Sequence, residues 1–164
     1  MFSFPLFNKR KAPSNKKLQA FLKGWEQSTC LGSNFYHQKE YQAAILEFEK
    51  ALDYARSGLK CKAEKAVFMQ YYSLASMNLA QALNCYQQQP KSEKVLSDAH
   101  FNMLSMMVDV AEPESHRYEA KKQAEFLLKS LIDFLASMGR KNVADSLLEE
   151  FTRLKITAGV FSKV

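Results

Sequence analysis

Apolar residues recur at three- and four-residue intervals along most of this chain, the period of an amphipathic α-helix. The pattern predicts six helices. The first runs from about Asn15 to His37, with Ser14 or Asn15 as its cap and Leu18, Phe21, Leu22, Trp25 and Leu31 on its apolar side. The second, about Lys39 to Ser57, carries the clearest stripe: Tyr41, Ala44, Ile45, Phe48, Ala51, Leu52 and Ala55. The third extends from about Leu59 to Tyr86 and is apolar around much of its girth, which suits a central element. After Pro90, Ser92 is the expected cap of a fourth helix bearing Val95, Leu96, Ala99, Met103, Met106 and Met107. Ser115 is the expected cap of a fifth, through Leu127, Leu128, Leu131 and Leu135, and Asn142 of a sixth, through Leu147, Phe151 and Leu154.

The punctuation agrees with that division. Pro5, Pro13, Pro90 and Pro113 all fall between the periodic stretches, where a missing N–H costs nothing. Gly58 and Gly139 fall at expected helix C-termini. Val, Ile and Thr together number only 13, so strands are disfavoured. The expected layout is an apolar and basic arm over 1–14, a helical domain over 15–156 and a tail over 157–164. Short connections make successive helices antiparallel hairpins.

Two hairpin segments carry a spacing known from a repeat family. Leu31-Gly32-x-x-Phe35 followed by Ala44-x-x-x-Phe48-x-x-Ala51 resembles the tetratricopeptide signature, in which small residues mark the close crossing of two helices and aromatic rings fill the space beside it. The last hairpin repeats the interval with Leu128, Leu131, Ile132 and Leu135, then Ala144-x-x-x-Leu148-x-x-Phe151. In the middle, Tyr71-x-x-Leu74-Ala75-x-x-Asn78 resembles a first helix whose partner arrives about twelve residues late, as Ala99-x-x-x-Met103-x-x-Met106. The resemblance spans roughly Trp25 to Leu154 and implies three hairpins in an α–α superhelix. An irregular six-helix bundle is the alternative, and both are all-α. Ser28 and Arg56 depart from the Trp and Pro that the family often has there.

The resemblance also implies a groove lined by the first helix of each hairpin: Thr29, Ser33 and Tyr36, then Met69, Tyr72 and Ser76, then Phe126, Lys129 and Asp133. Thr29, Ser33, Phe126 and Ser130 stand where family members that clamp an acidic C-terminus present Lys and Asn, so carboxylate clamping is not expected.

Charge changes the picture only at one end. The formal net charge is +6, yet Lys9, Arg10, Lys11, Lys16, Lys17 and Lys23 all precede the first acidic residue, Glu26; beyond it 17 basic residues face 17 acidic ones. Phe2, Phe4 and Phe7 sit beside Lys9, Arg10 and Lys11, an apolar anchor with adjacent cations that suits docking on an anionic membrane surface or a partner, the alternative being a disordered tail with no role. The balanced body argues against nucleic acid as a partner. Cations follow the apolar start instead of preceding it, which argues against a cleaved secretory signal.

Chemistry finds little support. No metal, nucleotide or nucleophile-elbow motif is present, and dispersed glycines build no phosphate loop. Cys30, Cys61 and Cys85 lack metal or disulfide spacing and read as reduced thiols of a cytoplasmic protein. The expectation is a non-enzymatic adaptor or assembly factor, without cofactor or metal, that holds a protein or peptide segment. A small secretion chaperone of the tetratricopeptide type and a membrane-peripheral component tethered at the inner face by the arm are the alternatives.

Overall fold

The computed structural model describes residues 16–159 and contains six α-helices, with no strand among the described residues: α1 Lys16–His37, α2 Tyr41–Gly58, α3 Lys65–Cys85, α4 Gln89–Val108, α5 Glu114–Ser137 and α6 Lys141–Thr157. The protein is all-α. Each helix packs on the next, and α3 also touches α1 and α5. α1, α3 and α5 therefore form one row, with α2, α4 and α6 beside it.

Small residues let the first hairpin close. A side chain at Gly32 would begin 2.7 Å from the Phe48 ring, and one at Gly24 would lie 2.5 Å from that of Tyr54. Gly32 and Ala44 are buried as the spacing predicts. Trp25 then joins this hairpin to the next: its ring stacks on Tyr71 at 4.0 Å and its indole N–H donates to the Tyr71 carbonyl at 3.3 Å.

The three hairpins share one turn. Lys39, Gln87 and Gly139 all adopt positive φ, and the amides that follow them, of Glu40, Gln88 and Arg140, donate to the carbonyls of Phe35, Leu83 and Leu135 at 2.8–2.9 Å. This is the Schellman ending of a helix, here leading directly into the next one. The turns lie 48 and 52 residues apart, which fixes the register of the repeat. Counting from each turn, Phe35, Leu83 and Leu135 correspond, as do Ala44, Ser92 and Ala144. Phe48, Leu96 and Leu148 form a third set.

The middle unit thus differs from its expected form. Its first-helix motif is Leu79-Ala80-x-x-Leu83, not Leu74-Ala75-x-x-Asn78, and its second helix follows without delay as Ser92-x-x-x-Leu96-x-x-Ala99. Ser92 is not a cap. It lies inside α4, buried, and its hydroxyl donates to the Ala80 carbonyl at 2.8 Å. Its small size serves as Ala44 does, and the hydrogen bond satisfies the hydroxyl.

Other expected caps move by a residue or more. Pro90 occupies the first turn of α4 and Pro113 the N-cap of α5, so Ser115 lies within that helix; Arg140, not Asn142, precedes α6. The expected third helix breaks into a short 3-10 turn, Lys62–Glu64, before α3 begins. The expected caps Ser14 and Asn15 and the whole arm lie outside the described residues.

Candidate partner-binding cleft

The expected groove residues separate into two groups. Thr29, Met69, Tyr72 and Ser76 are buried, which corrects their assignment to an open surface. The cause is the position of α3, which is flanked by four helices and keeps little free face. Tyr72 is held inside, with the Arg56 guanidinium over its ring and its hydroxyl accepting from Asn102 Nδ2 at 2.7 Å. Ser76 turns back to the Tyr72 carbonyl at 2.8 Å. Ser33, Tyr36 and Phe126 are half-buried, while Lys129 and Asp133 are exposed.

With the turn-based register, which runs five residues later than the expected one, α3 presents Gln81 and Asn84 to the outside of the row. Between α3 and α5 these positions open a cleft of about 370 Å³. Met77, Ala80, Leu96 and Phe134 supply apolar wall, and Gln81, Asn84, Ser130, Asp133 and Ser137 supply polar groups. Ser130 donates to the Phe126 carbonyl and sits 3.5 Å from Met77 Sδ, so its hydroxyl is oriented by its own helix and by α3. Ser137 donates to the Phe134 carbonyl at 2.6 Å.

On the α1 side of α3, the Tyr36 hydroxyl lies 3.3 Å from Cys85 Sγ. Burial, with the adjacent thiol adding to it, pushes the Tyr36 hydroxyl up to about 12, so it is a neutral donor and acceptor at physiological pH. Tyr36 is thus the expected groove residue that does join α1 to α3 at this end. Nothing in the cleft resembles a nucleophile with its base. Among the described residues, no group of three or more His, Cys, Asp or Glu side chains is placed to hold a metal ion.

A family model matches residues 23–156, a span that takes in most of α1, all of α2 to α5, nearly all of α6 and the whole cleft. The chain belongs to the family described as Protein of unknown function (DUF2753). No curated protein and no solved structure matches it. The family span begins two residues before Trp25, so it starts close to the ring that joins α1 to α3 and ends within α6. The cleft residues Gln81, Asn84 and Ser137 were not among the expected groove residues; the spacing from Lys39 to Gln87 is the signal that finds Gln81 and Asn84, the counterparts of Ser33 and Tyr36.

Opposite ends of α3 are tied differently. At its start, Lys65 pairs with Glu112, which also meets His116 at 3.2 Å; the hydrogen bond from Lys65 holds the Glu112 carboxyl below the usual range. Glu119 is buried, which alone would raise its carboxyl, but donation from Lys122, Gln70 and Gln123 holds it below the usual range. These carboxylates are fully occupied by structure.

Proposed function

We propose that the protein is a non-enzymatic, tetratricopeptide-like interaction module that holds a peptide segment of a partner in the cleft between α3 and α5. The observation that carries the reading is the lining: a narrow apolar wall with amide, hydroxyl and one carboxylate group along its edge. Amides and hydroxyls both donate and accept, which suits the backbone of an extended segment, while the wall receives one apolar side chain. Asp133 adds a preference for a cation on the bound segment.

The test is a screen of arrayed peptides against the full chain, followed by titration of the best binder. Replacing Asn84 and Asp133 together by Ala should weaken binding by about 1 to 3 kcal/mol, the range usual for loss of interface anchors, with an unchanged circular dichroism melt. Both side chains are exposed, so the fold has no stake in them. Full-strength binding by that variant would remove the cleft from the mechanism, and failure of any peptide to bind would remove the reading itself.

A further inference from the structure

α6 stands in the row of α2 and α4 but ends like α1, α3 and α5. α2 and α4 run out without a left-handed residue, whereas α6 stops at Gly159, whose φ is +61° and whose amide donates to the Ile156 carbonyl at 3.2 Å. The same bond, from the residue of positive φ to the carbonyl three before it, is made by Lys39, Gln87 and Gly139 at 3.0 Å. At those three sites the chain reverses, and the next helix lies back along the one just ended. The turn at the end of α6 is also held by its neighbours. Arg117 donates to the Ala158 carbonyl at 2.8 Å and to the Met107 carbonyl at 3.0 Å, which fixes the direction in which the chain leaves.

The hairpins show which face such a turn covers. Tyr36 and Tyr41 lie three before and two after Lys39, and their rings meet edge to face at 5.6 Å. Ala80 and Ser92 lie seven before and five after Gln87, and the Ser92 hydroxyl donates to the Ala80 carbonyl at 2.8 Å. Carried to Gly159, the positions three and seven before the turn are Ile156 and Thr152, and those two and five after it are Phe161 and Val164. Ile156 is 64% exposed, and Leu148, one turn beyond Thr152, is 48% exposed. The shallow hollow along these residues is lined by α6 alone. The Thr152 hydroxyl donates to the Leu148 carbonyl of its own helix at 2.8 Å, so its methyl group can take an apolar cover without stranding a donor.

We propose that residues 160–164, which lie outside the described residues, turn back at Gly159 and cap this ridge, with Phe161 against Ile156 and Val164 against Thr152. Five residues reach up to about 17 Å. Seven residues of helix rise only about 10 Å, so Thr152 is within range. Apolar side chains stand at both of the positions that meet the preceding helix in the hairpins, and the polar Ser162 and Lys163 fall between them.

Paired cysteines test this in the full chain with Cys30, Cys61 and Cys85 replaced by Ser. Thr152→Cys with Val164→Cys should close a disulfide within one chain under mild oxidation, at least about tenfold faster than Glu150→Cys with Val164→Cys, because residue 150 lies on the opposite side of the same turn of α6. Gly159→Val, which disfavours the left-handed turn, should slow that closure to the rate of the control. In methyl NMR of the chain with its own cysteines, the Ile156 resonances should move on Phe161→Ala while those of the buried Ile45 stay in place. Closure no faster than the control, closure indifferent to Gly159→Val, or Ile156 resonances indifferent to Phe161→Ala each overturns the proposal. A disulfide that forms between chains instead of within one gives the ridge to a second copy and overturns it as well.

Discussion

His100 shows how a single buried side chain sets a condition on the fold. It is 1% exposed, and one ring nitrogen lies 3.0 Å from the Ala124 carbonyl, so in the folded state its neutral form is used as a donor to α5. Burial lowers its affinity for a proton below the ordinary 6.5; the Ala124 carbonyl and Glu150 on α6 oppose that shift without cancelling it. Because the folded pKa is lower than the unfolded one, the unfolded chain binds the extra proton first. Stability is therefore unaffected above the unfolded value and declines as pH falls through 6.5 toward the folded value. The expected result is a melting temperature that drops between about pH 7 and pH 5, with the drop largely removed in His100→Gln. An equal drop in that variant would assign the effect to other groups.

At the scale of the helix and its ending, the shared turn makes a sharper statement than the apolar pattern did. Left-handed backbone costs a non-glycine residue roughly 1 kcal/mol, and two of the three turns place Lys39 and Gln87 there, while the third has Gly139. Lys39→Gly and Gln87→Gly should each stabilise the chain by about 0.5 to 1 kcal/mol in urea titration, and Gly139→Ala should destabilise it by a similar amount. Unchanged midpoints would mean that these residues relax out of the left-handed region in solution. The same turns explain what was legible beforehand. The six helices were readable because proline and polar runs separate strongly periodic stretches, and the first hairpin was readable because Gly32, Ala44 and Phe48 carry its crossing. The middle register was not, because α3 is buried on nearly all sides and its apolar residues give no phase. A serine at 92 and a glutamine at 87 also replaced the small apolar residue and the glycine that would have marked it. Tyr72 was assigned outward for that reason, in a register set five residues too early.

Across the whole molecule, burial is unequal from one end of the array to the other, and local stability should follow it. α3 contacts four helices and hides most of its length, so its amides are released only when the chain unfolds as a unit. α6 rests on α5 alone among its stronger contacts and fully buries only Ala144 and Phe151. Its far end is held by Arg117, whose guanidinium donates to the Ala158 carbonyl at 2.8 Å and to the Met107 carbonyl at 3.0 Å, joining the C-termini of α6 and α4 where a cation is favoured. Native-state hydrogen exchange should show α6 opening at least about 2 kcal/mol more easily than α3, a difference of roughly thirtyfold in exchange. Arg117→Ala should widen that gap by speeding exchange in α6 and the end of α4 while leaving α1 to α3 unchanged. Uniform protection from α1 to α6 would show that the array folds as one cooperative body and that Arg117 is a surface contact. A graded profile steepened by Arg117→Ala would show that α6 is held by one end and one ring.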